Sequence, residues 1–484
     1  MAKRKMSTFE RLKAGRMNRA ERRELARRVA AGDASLAIVN SNAGGIDVGN
    51  QSHFVAVPPD RDENPVREFG CWTEALRQMA AWLQACRVDT VAVQATGVYW
   101  IALHDVLEQH GIKVVLVNAQ HTKNVPGRKT DVQECQWLMK LHTYGLLRDS
   151  FRLQHDMEYV RTLWRLRDRH VKDAAREIQH MQKALTKMNV QLANVISDIS
   201  GVSGQRILQA ILHGQRDPFE LADLVDYRVK ASREEVARSL EGNWRADLLF
   251  ELQQAVDSSE FARRQMQQCD EKLEVYLAGL PARILENPEP LKAAPESIAQ
   301  KRKKARKPRD NEPGMDLKAE LGRICGVDLT SIDGINVMTA FTVLSEVGTD
   351  LSHFKDEDHF ASWMGLTPSK DISGGKMVRS GKKKVKNRVA TALRTAATAL
   401  LESDTYLGAR YRHLRRNLPT FKSAVKAMAR YLAVLIYRLM THGQAWVDRG
   451  AEQFERKRLE RETAYLRAKA KANGFALVPL TELQ

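Results

Sequence analysis

Apolar and polar positions alternate in Gly44-Gly45-Ile46-Asp47-Val48-Gly49, which places Ile46 and Val48 on one face of a short strand and Asp47 on the other. A second apolar run, Phe54-Val55-Ala56-Val57, follows the turn residues Asn50-Gln51-Ser52, so the pair predicts a hairpin. Val66-Arg67-Glu68-Phe69-Gly70 reads as a third strand. Leu76, Met79 and Leu83 then fall at helical spacing. Thr90–Val93 reads as a strand, about Val98 to Gln109 as a helix, Val114–Val117 as a strand, and a further helix begins at Asp131. Strands in succession followed by strand–helix units predict a mixed α/β sheet over residues 42–150, with its acids at strand ends.

The pattern then changes period. Met157, Val160, Trp164, Val171, Ala174, Ile178, Met181, Leu185, Met188, Leu192 and Val195 fall on alternating steps of three and four, a seam of about five heptads interrupted by Arg167. A second seam runs from Leu252 through Ala255, Ser259, Ala262, Met266, Cys269, Leu273 and Tyr276 to Leu280. Residues 151–285 thus read as a helical arm, which fits a helical hairpin, a coiled coil between subunits, or amphipathic helices on an ordinary core. Residues 286–316 are rich in Pro and Lys/Arg without periodicity and read as a basic linker. Residues 317–445 form a last, mostly helical domain, and 446–484 a helical tail. Within the last domain, Leu329-Thr330-Ser331-Ile332-Asp333-Gly334-Ile335 ahead of Thr339, Ala340, Phe341 and Leu344 has the form of a helix-hairpin-helix. Such a motif presents backbone N–H groups to a phosphate, though Asn336 replaces its second glycine. A plain helix–turn–helix packing unit is the alternative.

Charge narrows the partners. The 77 Lys and Arg against 59 Asp and Glu leave +18 over 484 residues, which points to a polyanion, nucleic acid first and an acidic membrane surface second. The excess is clustered. Residues 1–28, a part of the basic extension 1–41, hold eleven Lys/Arg against three Glu, and residues 376–388 hold seven basic side chains. The five cysteines never reach a C-x-x-C spacing, which argues against a zinc ribbon or a secreted disulfide scaffold. No stretch approaches a membrane span, so the chain reads as soluble and intracellular, with no membrane partner.

Several residues are candidates for chemistry. An acid on a central strand is costly unless it is paired or binds a cation, so Asp47 reads as a site residue, the alternative being an Asp at a strand end that accepts turn N–H bonds. Gln94 ends the Thr90–Val93 strand. Asp131 and Glu134, three apart at a helix start, share a face, although Asp-x-x-Glu there also fits a capping box. Clustered carboxylates that hold Mg²⁺ can assist phosphodiester cleavage. In the last domain Ser373-Gly374-Gly375-Lys376 leads into Arg379, Lys382, Lys383, Lys384, Lys386 and Arg388. Glycines there let backbone approach a phosphate and the cations surround it. A serine so placed could attack phosphorus and hold the bond energy in a phosphoserine ester, or simply bind a phosphate or a turn.

Together, Gly45-Ile46-Asp47-Val48, Thr96-Gly97-Val98-Tyr99-Trp100, Lys129-Thr130-Asp131-Val132 through Trp137-Leu138, Ile332-Asp333-Gly334-Ile335, and Gly365-Leu366-Thr367-Pro368 with Ser373-Gly374-Gly375-Lys376 resemble a known family. The chain is similar, over about residues 42–440, to the DEDD-type insertion-sequence transposases, serine-containing recombinases guided by a bridge RNA. The resemblance implies a RuvC-like domain of RNase H fold, a coiled-coil arm and a helical transposase domain bearing the serine. It implies Asp47, Gln94, Asp131 and Glu134 as the tetrad positions, Mg²⁺ on Asp47, Asp131 and Glu134, and Ser373 as the covalent nucleophile. It also implies donor and target DNA and a guide RNA as partners, and a dimer or tetramer in which one subunit's acids complete another's serine site. The setting would be the bacterial cytoplasm at the nucleoid. The sequence departs from the family pattern twice: Gln94 supplies no charge, and Glu134 stands where Asp is expected. A junction-resolving nuclease and a copy that binds nucleic acid without cutting it are the rival readings.

Overall fold

The computed structural model describes residues 24, 25, 27–29, 37–95, 97–118, 130–283, 311–373, 376–381, 387–443 and 450–478, with only the backbone of 369–373 and 376–381. Most of the basic extension and of the linker, and Lys382, Lys383, Lys384 and Lys386, lie outside the described residues, as do Gly374 and Gly375. The chain divides into two compact units, Met1–Arg152 and Leu153–Gln484.

In the first unit, β1 (Ala43–Val48), β2 (Ser52–Ala56) and β3 (Val66–Gly70) form an antiparallel ribbon, and the Gly49 N–H closes its first turn on the Ser52 carbonyl at 3.1 Å. β4 (Thr90–Gln94) and β5 (Lys113–Val117) extend the sheet parallel to β1, in the order β3-β2-β1-β4-β5. This five-stranded mixed sheet is consistent with an RNase H-like arrangement. Helices α1 (Thr73–Ala85) and α2 (Trp100–Gln109) cover one face, packing Leu76, Met79, Leu83, Leu103 and Leu107 over Ile46, Val55, Val91 and Val93. Helix α3 (Asp131–Thr143) covers the other, with Cys135 and Met139 against Ala56, and Leu138 against Ala92 and Val117. Strands buried on both faces read as apolar runs rather than alternation, which is why β4 and β5 are near-continuous Val, Ala and Leu.

The second unit opens with α4 (His155–Lys187), α5 (Val202–Leu212), α6 (Pro218–Ala222), α7 (Arg233–Ser239) and α8 (Ala246–Gly279). α4 and α8 pair antiparallel within one chain. Tyr159 near the start of α4 stacks on Tyr276 near the end of α8 at 4.2 Å, and Lys187 at the far end of α4 meets Glu251 at 2.6 Å. Met157, Val160, Trp164, Met181 and Leu185 are buried on α4, as are Leu252, Ala255, Ala262, Cys269 and Leu273 on α8. The two seams are thus the two halves of a helical hairpin. Arg167, the break in the first seam, is fully buried and pairs with Asp270 on α8. The first seam also overshoots its helix. Asn189 takes a left-handed backbone (φ 59), and Leu192 and Val195 leave α4 although they keep its heptad phase. They join Ile196, Ile207, Ile211, Leu221, Val236 and Leu240 in a small helical core that the arm's periodicity did not foreshadow.

The remainder holds α9 (Leu317–Cys325), α10 (Val337–Val347), α11 (Glu357–Trp363), the hairpin β6 (Ser369–Ser373) and β7 (Lys376–Gly381), α12 (Arg388–Ala399), α13 (Tyr406–Asn417), α14 (Phe421–His442) and α15 (Ala451–Ala472). α14 packs on α11 and α12, and α10 on α12. Between α9 and α10, Ile332 and Ile335 are buried. Gly334 takes φ 85, and a Cβ there would lie 3.0 Å from Leu400 Cγ and 3.1 Å from the Ala396 carbonyl. Asn336 caps α10, its side-chain oxygen accepting the Thr339 N–H at 2.8 Å. The residue in place of the second hairpin glycine therefore serves as a helix N-cap. Among the described residues no helix is long and apolar enough to cross a membrane.

Candidate active site

Gly45 fixes the site's geometry. A Cβ there would sit 2.3 Å from the Cys135 carbonyl oxygen and 2.3 Å from the Met139 nitrogen, so only glycine lets the backbone of α3 lie on β1. Asp47, two residues on, points to the same face. In the parallel ladder Ile46 pairs with Val93, so Gln94 stands beside Asp47 at the carboxyl ends of the two central strands. Thr90 and Ala92, of the same parity as Gln94, meet His142 and Leu138 of α3, so Gln94 shares the α3 face.

Helix α3 runs against β1. Its last residue, Thr143, accepts the Val39 and Asn40 N–H groups just before the strand begins, at 2.9 and 3.0 Å. Its first turn therefore lies toward the strand's carboxyl end. From Cys135 to Asp131 the helix climbs about 6 Å at ~1.5 Å per residue. From Gly45 to Asp47 the strand climbs about 7 Å at ~3.3 Å per residue. Because Gly45 meets the helix between Cys135 and Met139, the first turn of α3, Asp131 to Glu134, comes level with Asp47. The Cys135 thiol registers both charges. Burial first, and then the Asp47 and Asp131 charges, push it up to about 12 against backbone contacts at Gln136 and Cys135 that favour the thiolate.

The capping alternative for the helix acids does not hold. Thr130 is the N-cap, accepting the Gln133 N–H, while the Gln133 side chain takes the Thr130 N–H at 3.4 Å. Asp131 lies within this box and Glu134 just after it, and neither side chain makes its hydrogen bonds. Asp131 is exposed, Glu134 and Asp47 half-buried and Gln94 buried. Two carboxylates and an amide on one face at one end of the sheet, with Glu134 in the same helical turn as Asp131, give an all-oxygen donor set of the kind hard cations take. That chemistry fits a hard divalent cation.

Among the described residues, the set of His, Cys, Asp and Glu ligand atoms lying within 4.8 Å of one another is not this one but His104, Asp105 and Glu108 on α2. The sequence reading passed over that cluster, although its i, i+1, i+4 spacing was visible. Arg152 occupies it, meeting Asp105 at 3.4 Å and Glu108 at 3.1 Å, so a guanidinium already balances the carboxylates.

The second candidate lies in the other unit. Ser373 closes β6 and pairs with Lys376 at the start of β7; Arg379 pairs with Asp371, beside an irregularity in the ladder. Of the basic candidates, Arg388 is anchored: it opens α12 and meets Asp168 of α4 at 2.6 Å, with Glu346 at 3.9 Å. It is thus engaged with acids of the same unit rather than presented as a bare cation.

A family model described as a transposase, of DEDD type, matches residues 44–190, spanning β1 through α4. A second, described as Transposase IS116/IS110/IS902 family, matches residues 328–412, which include the Ser373 hairpin. No curated protein matches the chain. Such domains belong to DNA-processing enzymes of insertion sequences, and their substrate is DNA. The chain carries the DEDD domain and the C-terminal transposase domain of the IS110/IS116/IS902 transposase family.

Proposed function

We propose that the chain is an RNA-guided recombinase of an insertion sequence, which cuts and rejoins DNA through a phosphoserine ester at Ser373. The observation that supports the reading is that Asp47 and Gln94 lie side by side at the carboxyl ends of the two central strands, on the face that α3 covers. In the proposed step the Ser373 hydroxyl oxygen forms a bond to phosphorus, the bond to the departing deoxyribose oxygen breaks, and that oxygen takes up the proton. Rejoining is the reverse exchange with a different DNA hydroxyl, so the sum is nearly isoenergetic and requires no nucleotide cofactor. Asp47, Asp131 and Glu134 would hold Mg²⁺, with Gln94 as a neutral oxygen donor, and Mg²⁺ when bound supplies charge stabilisation at the departing oxygen. Loading it requires these side chains to close further, at the cost of mutual repulsion that the cation offsets.

Base pairing to a guide RNA would carry the sequence choice, leaving the basic segments 1–28 and 376–388 to grip phosphates without reading bases. The association of copies into a dimer or tetramer is part of the same proposal.

One observation favours a second reading, that of a binding protein that no longer cuts: Gln94 brings no charge to the tetrad. The experiment is to incubate the protein, its flanking noncoding RNA and a DNA substrate with Mg²⁺, and to map any covalent adduct. The proposal expects an ester on Ser373 that is lost in Ser373→Ala and in Asp47→Asn. Tight RNA binding with no adduct under any Mg²⁺ condition supports the second reading. Full cutting and joining by Ser373→Ala refutes the serine step and leaves a nuclease.

A further inference from the structure

α15 carries charge along nearly its whole length, and Phe454 is its buried residue. Phe454 meets Tyr406 of α13 edge-on at 5.2 Å and His413 at 5.8 Å. Beside this contact lies a cavity of about 360 Å³, lined by Tyr406, Phe454, Arg410, Lys457, Arg458 and Arg461 among others. That volume lies within the range of ~300–1,000 Å³ usual for ligand sites.

The cations around it are not equivalent. Arg458 is held by Glu455 at 2.8 Å and Glu462 at 3.1 Å. For Arg410, Lys457 and Arg461, no carboxylate lies within 4.0 Å among the described residues. Lys457 and Arg461 are four apart and share a helix face. Arg410 lies over the Tyr431 ring at 3.9 Å, and its buried Nε–H has no acceptor, a deficit that folded proteins rarely leave. An apolar cavity walled by two aromatic rings, whose lining side chains include three cations without a carboxylate within 4.0 Å among the described residues, matches a ligand that is at once anionic and flat.

We propose that the groove between α13 and α15 binds single-stranded nucleic acid, one base entering beside Tyr406 and Phe454 while neighbouring phosphates meet Arg410, Lys457 and Arg461. Stacking platforms edged by cations are how proteins hold single strands without reading their sequence. An acidic peptide would satisfy the cations but leave the aromatic cavity unused. The inference deepens the nucleic-acid reading of the chain and rests on it.

The test uses the full chain with 5-iodouracil-substituted oligouridylate and oligothymidylate, photo-crosslinked and mapped by peptide mass. The expected adducts fall on Tyr406 or Phe454, and comparing the two arms tells whether ribose or deoxyribose is preferred. Lys457→Glu with Arg461→Glu, at half-buried and exposed positions, keeps the fold, as helicity by circular dichroism will show. It should cut the groove adduct at least about tenfold and lower the slope of log affinity against log salt by about 1.4, at ~0.7 per lost phosphate contact. Phe454→Leu should weaken binding about tenfold through lost stacking. Adducts confined to other segments, with affinity unchanged in the double variant, overturn this site and leave the nucleic-acid reading intact. Displacement of the groove adduct by polyglutamate as readily as by unlabelled oligonucleotide overturns it in favour of an acidic protein partner. Absence of any oligonucleotide binding at low salt overturns both.

Discussion

Asp270→Ala isolates one buried charge. Arg167 is 1% exposed, and all three guanidinium nitrogens are engaged: two grip the Asp270 carboxylate (one through a very short contact, the other at 3.1 Å) and the third donates to the Asn311 carbonyl at 3.0 Å. The guanidinium also lies 5.3 Å over the Trp164 ring. Removing the carboxylate strands a cation between α4 and α8, for which the expected cost is about 3–5 kcal/mol. An independent estimate agrees: two unit charges about 4 Å apart attract by about 4 kcal/mol at an effective dielectric constant near 20. The paired variant Arg167→Met with Asp270→Leu removes both charges. It orphans only the Asn311 carbonyl, at about 1–3 kcal/mol, and gains apolar packing, so it should sit at least about 2 kcal/mol above the single variant. Amide hydrogen exchange along α4 and α8 is the assay, because it reports local opening free energy in a chain of two units where no single unfolding transition applies. A loss under about 1 kcal/mol in Asp270→Ala, or a paired variant worse than the single one, would refute the account of Arg167 as a satisfied charge locking the register of the hairpin.

Three further outcomes are expected. Gly45→Ala drives a methyl into the α3 backbone, so α3 must lift from β1 at or above the top of the usual range of about 1–3 kcal/mol for overpacking; exchange protection in α3 and DNA cleavage should fall together. Burial, and then the Lys113 charge, push the His142 imidazole down from 6.5 to about 4, so the folded state disfavours the proton that the unfolded state accepts. Its contribution is therefore complete above pH 6.5 and lost as pH falls toward 4, about 3 kcal/mol in all, and His142→Asn should flatten the melting profile across that window. Asn336→Ala should cost about 1 kcal/mol and fray the first turn of α10 by hydrogen exchange, whereas Asn336→Asp should retain the cap.

Much of the first unit was legible because each of its signals is local. The strands at Thr90–Gln94 and Lys113–Val117 lie within a residue of their apolar runs, and Asp47 stood out as a charge inside one of them. Gly45 was visible as part of a motif, but its reason, the helix backbone 2.3 Å from where a Cβ would be, is a tertiary fact. The same holds for the helix acids. Thr130-Asp131-x-Gln133-Glu134 offers two overlapping capping boxes, and only the fold shows that Thr130 and Gln133 make the cap.

The sequence by itself determined the periods: two for the hairpin strands, three and four for α4 and α8, and a break at Arg167 without its partner. Tertiary structure decided the partners. The seams close on each other within one chain, the heptad phase at Leu192 and Val195 is diverted by the left-handed Asn189 into a separate core, and Arg167 finds its carboxylate 103 residues away. The physical reason is one of range. Backbone period and side-chain facing follow from neighbours two to four residues off, whereas the satisfaction of a buried charge depends on which distant surface arrives beside it.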